Sequence, residues 1–133
     1  MIGLDTNILV RYFAQDEPRQ SAAARDLIDN KLSRENPGHI TVIVLVEFAW
    51  VLKRLYGGKR GEIVEAIEGL LSASTISIES KRLVRSALRA FAASKADFSD
   101  CLIVQINSDA GCELTYTFDQ NASKLDGFRL LRL

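Results

Sequence analysis

Five acidic residues stand where a reaction could use them: Asp5 in MIGLDTNILVRYF, Glu47 in ITVIVLVEFAWVL, Asp97 and Asp100 in KADFSDCLIV, and Asp119 in TYTFDQN. Singly, each has an ordinary explanation. Asp5 and Asp119 follow short apolar runs, where an Asp caps a helix or closes a turn by accepting backbone N–H bonds. Asp97 and Asp100 suit an N-cap and a first helical turn, where the helix dipole favours negative charge. Glu47 is harder to place, because it is the only charged residue between His39 and Lys53. Its neighbours Leu45, Val46, Phe48 and Ala49 predict a buried carboxylate, which needs an Arg, a Lys or a cation to stay ionised. Taken together, carboxylates gathered at one sheet edge would repel, by roughly 3 kcal/mol for a pair about 5 Å apart at an effective dielectric near 20. A divalent cation removes that penalty. Hard oxygen donors with no His or Cys among them favour Mg²⁺ or Mn²⁺.

Positioning such a set requires strand ends and helix starts to meet. Short apolar runs at residues 2–4, 39–42, 75–78, 114–117 and 129–131 read as strands, several of them apolar on both faces as in a parallel sheet covered by helices. Helices are expected between them over 7–13, 18–31, 44–56, 59–72, 80–94 and 98–110. Pro18 suits a first helical turn, and Gly57, Gly58 and Gly111 mark helix ends. Ile63, Val64, Ile67, Leu70 and Leu71 recur at helical spacing, as do Leu83, Val84, Ala87, Leu88 and Phe91. Alternating strands and helices predict a three-layer α/β/α domain with right-handed crossovers and a central, mainly parallel sheet of about five strands. In such sheets ligands bind beyond the carboxyl ends of the strands.

The totals set bounds without naming a partner. A chain of 133 residues fits one domain, 1–133, able to bury about two-thirds of its unfolded surface without a disulfide or structural metal. Lys plus Arg and Asp plus Glu both number 17, so global charge does not advertise a polyanionic ligand, although a local basic rim can surround an acidic pocket. Cys101 and Cys112 lack zinc spacing and read as reduced thiols, and His39 reads as flanking a strand. The longest apolar stretch, near Val42 to Leu52, is too short to span a membrane and is interrupted by Glu47. A cytoplasmic protein is expected.

The four quoted segments together resemble the PIN-domain ribonucleases, and in particular the toxin subunits of VapBC-type toxin–antitoxin pairs; the resemblance covers nearly the whole chain. It implies an acidic site of Asp5, Glu47, Asp100 and Asp119, with Asp97 at a further acidic position that supports as ligand or cap. It also implies one or two Mg²⁺ or Mn²⁺ ions, and hydrolysis of RNA in line to leave 5′-phosphate and 3′-hydroxyl ends. Thr6 and Asn7 match the polar pair after the first Asp, and Thr117 the Thr of the TFD segment; Ser99 can support the site or cap its helix. Arg11, Lys53, Arg54, Lys59 and Arg60 are candidates for phosphate contact, each with an ordinary solvated-surface alternative, and Tyr12 and Tyr56 can stack on bases or pack. Proteins of this type form homodimers and bind a small antitoxin.

Other chemistries fit less well. A haloacid-dehalogenase phosphatase wants a second Asp two residues after the first, where this chain has Asn7. A phosphate-receiver domain needs a phosphoacceptor Asp after a central strand, and no such residue stands out. No GxxxxGK[ST] or GxGxxG loop is present. The alternative from a different class is a non-catalytic RNA- or protein-binding module on the same fold.

Overall fold

The first strand is brief because its chain is soon needed for a helix. In the computed structural model, which describes residues 1–133, β1 (Ile2–Gly3) gives way at Asp5 to α1 (Thr6–Ala14). Asp5 has extended backbone angles, and its carboxylate accepts the Thr6 N–H at 2.8 Å, so the acid does cap the helix. The helix ends with Gln15 in the left-handed region at φ 54°. Glu17 then caps α2 (Pro18–Asp26) by accepting the N–H groups of Arg19 and Gln20, with Pro18 in the first turn.

The helix expected over 18–31 does not keep one geometry. Leu27–Lys31 widens into a π turn, closed by the Leu32 N–H donating to the Leu27 carbonyl at 3.2 Å. Ile28 and Leu32 are both buried there, whereas Ala22 is exposed.

β2 (Gly38–Ile40) is shorter than the expected 39–42 because Thr41 caps the next helix, accepting the Val44 N–H at 3.2 Å. α3 (Val42–Arg54) has another N-terminal donor, the Val42 N–H, satisfied by Glu79 at 2.9 Å. α4 (Arg60–Ser72) starts with Glu62 reaching back to the Lys59 N–H at 2.8 Å, and β3 (Ile76–Ile78) follows. The strands pair in the order β1-β2-β3, all parallel. Gly38 permits the close approach of β2 to its cover, since an added Cβ would stand 2.7 Å from Leu32 Cδ1 and 2.8 Å from Leu4 Cδ1. Ile40, Leu45, Phe48, Ile63 and Ile67 are almost wholly buried and form the centre of this part of the chain. Burying each such side chain is worth about 1.5–3 kcal/mol.

These elements make up one compact unit, Met1–Ser80; Lys81–Leu133 make a second. In the second, α5 (Lys81–Ala92) buries Leu83, Val84, Ala87, Leu88 and Phe91. It packs on α6 (Phe98–Asp109), where Phe91 and Phe98 meet edge to face with centroids 5.7 Å apart. β4 (Thr115–Thr117) and β5 (Phe128–Leu130) pair in parallel across a connection holding a 3₁₀ turn, Ala122–Lys124. All five expected strands therefore exist and every pairing is parallel, in one ladder of three and one of two.

Gly127 is the sharpest steric constraint in the second unit. It has φ 95°, and an added Cβ would lie 2.7 Å from Val104 Cγ2. Gly127→Ala should destabilise the protein by about 2–4 kcal/mol, from the left-handed backbone and overpacking together. Gly3→Ala, with nothing within 4 Å of its Cβ, is the control. Urea midpoints measure both; equal midpoints for the two variants would refute the constraint.

Candidate metal centre

Asp5 reaches its position because β1 ends one residue before it and α1 begins one residue after it. The same junction holds a second carboxylate. Thr6 is buried, and its hydroxyl donates to Glu47 Oε1 at 2.9 Å, while its N–H caps onto Asp5. One residue thus holds two acids that are far apart in sequence. Thr6 is one of the polar pair after Asp5; its bond to Glu47 has no signal in the sequence, because it depends on α3 lying beside α1. Asn7, the other member of the polar pair, is exposed.

Glu47 differs from expectation in its surroundings. It is exposed rather than buried. Its apolar neighbours mislead because α3 turns a stripe at i, i+4, i+7 and i+11 outward: Ile43 (69% exposed), Glu47, Trp50 (56%) and Arg54. Leu45, Phe48 and Ala49 take the buried side. No burial penalty therefore forces a cation on Glu47, which faces solvent and accepts the Thr6 hydroxyl.

The second unit holds the other acids. Asp97 occupies the N-cap of α6 and is exposed; Asp100 lies in the first turn, half-buried. Phe98, Cys101 and Leu102 are buried around it, so the backbone bearing Asp100 is fixed by packing. Asp119 follows β4. Its N–H donates to the Thr117 hydroxyl at 3.0 Å, and its carboxylate accepts the Ala122 N–H at 2.9 Å. That gives Thr117 a definite task, holding the turn that presents Asp119. Ser99 is half-buried in the first turn of α6.

Burial raises the pKa of Asp100 above the ordinary carboxylate value, and the charges of Asp119 and Asp97 raise it further. The charges of Asp97 and Asp119 are therefore near enough to act on Asp100. A set of acceptor-only oxygens under like-charge repulsion fits a hard divalent ion such as Mg²⁺ or Mn²⁺. Within neither unit, however, do three acidic, His or Cys side chains stand ready-made as an ion cage. The fit is one of charge and donor type.

The basic residues divide. Lys53, Arg54 and Lys59 are exposed at the end of α3 and in the turn after it, and Arg60 is half-buried. Arg11 instead serves a network unmarked in the sequence. It donates to Gln20 at 2.7 Å, to Asp16 at 3.0 Å and to the Tyr56 hydroxyl at 3.2 Å, and that hydroxyl donates to Asp16 at 2.6 Å. The Tyr56 hydrogen bond first, and Arg11 after it, holds the Asp16 carboxyl below its ordinary pKa. Tyr12 donates to Asp29 at 2.7 Å. Asp16 and Asp29 thus anchor side chains that are candidates for RNA contact.

The raised Asp100 pKa has a defined linkage sign. Between the unfolded and the folded pKa the native state binds more protons, so ion-free stability falls as pH rises through that interval. In EDTA, Asp100→Asn should raise the melting temperature at pH 7, and the gain should vanish once pH drops below about 3.9, the unfolded Asp value. A variant no more stable than wild type at pH 7 would refute the shift.

Comparison with known proteins adds an independent observation. A family model described as PIN domain matches residues 2–128. A VapC ribonuclease of Aquifex aeolicus (strain VF5) is 22% identical over 126 residues, covering 95% of this chain and 92% of that protein.

Proposed function

The chain belongs to the PIN-domain family, and from that premise we propose that it is a metal-dependent endoribonuclease, the toxin of a toxin–antitoxin pair, acting as a single domain over residues 1–133. The observation that carries the reading is the half-buried Asp100 carboxyl, whose pKa is raised first by burial and then by the charges of Asp119 and Asp97, a setting that suits a cation. The similarity to a VapC ribonuclease along 95% of the chain supports the choice of RNA as substrate and of a small antitoxin as partner.

The reading assigns Asp5, Glu47, Asp100 and Asp119 to catalysis through one or two Mg²⁺ or Mn²⁺ ions, with Asp97 as a further ligand. A bound ion would supply Lewis-acid stabilisation of the charge that develops on the phosphodiester. The residues of the chain do the rest. Thr6 orients Glu47 by its hydroxyl and Asp5 by its N–H. Thr117 fixes the turn of Asp119, and the packed start of α6 keeps Asp100 from swinging away from its like-charged neighbours. Asn7 and Ser99 would orient water or a ligand. A water oxygen forms a bond to phosphorus while the bond to the 3′ oxygen breaks; the water's proton passes to a carboxylate or to solvent, and the leaving oxygen takes up a proton. The products are a 5′-phosphate and a 3′-hydroxyl. Lys53, Arg54, Lys59 and Arg60 would meet phosphates around the site, and Arg11 would do so only on leaving Asp16. The proposed protein is a cytoplasmic homodimer; no helix is long and apolar enough to cross a membrane.

Asp5→Asn and Asp100→Asn should each lower the Mn²⁺-dependent cleavage rate of total RNA by about 100-fold or more with folding retained. Mn²⁺ should raise the melting temperature of the wild type and do so less in Asp100→Asn. Cleavage that survives in EDTA, or variants that cut like the wild type, would sink the metal assignment. RNA binding without cleavage in any metal would favour a non-catalytic module.

A further inference from the structure

The whole chain is charge-balanced, yet α5 is not. Between Ser80 and Ala96 there is no Asp or Glu, while Lys81, Arg82, Arg85, Arg89 and Lys95 are basic. The apolar stripe of α5 fixes where these charges go. With Leu83, Val84, Ala87, Leu88 and Phe91 turned inward, Lys81, Arg82, Arg85 and Arg89 are all exposed. Together they line one open groove of about 430 Å³.

An ordinary solvated helix face mixes signs and forms pairs at i, i+4. Here Lys81, Arg85 and Arg89 repeat at i, i+4 and i+8 with one sign, an arrangement that weakens an isolated helix. Lys81 and Arg82 also lie in the first turn, where the helix dipole disfavours cations. Arg82 is tied to Asp109 of α6 at 2.8 Å, and Arg89 donates to the Ser86 hydroxyl at 3.3 Å. Arg85 and Lys81 have no acidic partner among the ion pairs of this unit.

We propose that this face of α5 binds the phosphate backbone of an RNA strand. The inference rests on the ribonuclease reading for the identity of the polyanion, and on the α5 charges for the place. From Lys81 to Arg89 the helix rises about 12 Å, which spans three to four phosphates at about 3.4 Å of axial rise per nucleotide in a stacked strand. Guanidinium forks suit phosphate oxygens. No aromatic side chain lines the groove, so it has nothing on which to stack a base. The contacts hold and orient RNA without reading its sequence.

The test uses the full chain in EDTA, a fluorescein-labelled single-stranded RNA of mixed sequence, and anisotropy titrations across a series of KCl concentrations. Arg85→Gln/Arg89→Gln should weaken binding about five- to twenty-fold at low salt and reduce the slope of log K against log salt by about 1.4, at about 0.7 per phosphate contact on a single strand. Arg85→Lys/Arg89→Lys should keep most of that slope. Should the Gln pair not fold, either single Gln variant should lose about 0.7 of slope. Unchanged affinity and slope, or a wild type that binds no RNA, overturns the proposal. So does a Gln pair that binds RNA normally but sediments differently, which would make α5 a protein interface. Mn²⁺-dependent cleavage is measured alongside: α5-dependent binding without cleavage defeats the ribonuclease reading and leaves this one standing, and cleavage without α5-dependent binding does the reverse.

Discussion

Packing that holds Asp100 half-buried within reach of the charges of Asp97 and Asp119 is the constraint on which the candidate site depends. Asp100 cannot retreat, because Phe98, Cys101 and Leu102 lock the start of α6 into the second unit's core. Asp119 cannot retreat either, since Thr117 and the Ala122 N–H hold its turn. Burial first, and the charges of Asp119 and Asp97 after it, raise the pKa of the Asp100 carboxyl group in a protein with no general excess of acid. Structural stability alone gives no reason to keep such an arrangement. A cation would, because it would offset both the burial and the repulsion, and so the charge pattern and the family membership point the same way.

The first unit handles its acids differently. Asp5 and Glu47 are both exposed, and a buried threonine between them supplies direction in place of burial. A hydroxyl and an N–H from one residue are economical donors, because the start of α1 fixes both at once. The same economy appears at Arg11, whose guanidinium gathers Gln20, Asp16 and Tyr56 and so ties the α1–α2 turn to the end of α3. A residue that looks like a phosphate ligand in the sequence is thereby a structural tie in the fold. Basic side chains without an acidic partner are found instead on α5, where the apolar stripe turns Lys81 and Arg85 to solvent.

Much of this was legible in the chain itself. Apolar periodicity and caps placed all five strands and the helices between them, because hydrophobic spacing and backbone donors at helix ends are local facts. Glu62 with Lys59, Thr41 with Val44 and Pro18 in its first turn are contacts within a few residues. The misjudged boundaries fall where one residue had two competing tasks, as at Thr41, which ended a strand by capping a helix. The widened turn at Leu27–Lys31 was invisible, since its i→i+5 bond reflects how Ile28 and Leu32 both find cover.

The acids were likewise identifiable by sequence, because their positions after strands and at helix starts are set by local grammar and their motifs resemble a family. Tertiary structure alone decided their surroundings. It exposed Glu47, which its apolar neighbours had marked as buried, because only packing chooses which side of α3 faces the core. It joined Thr6 to Glu47 across 41 residues and brought the charges of Asp97 and Asp119 to bear on Asp100. Residue types and helix starts follow from neighbours along the chain. Solvent exposure and the electrostatic field at a carboxylate follow from neighbours in space.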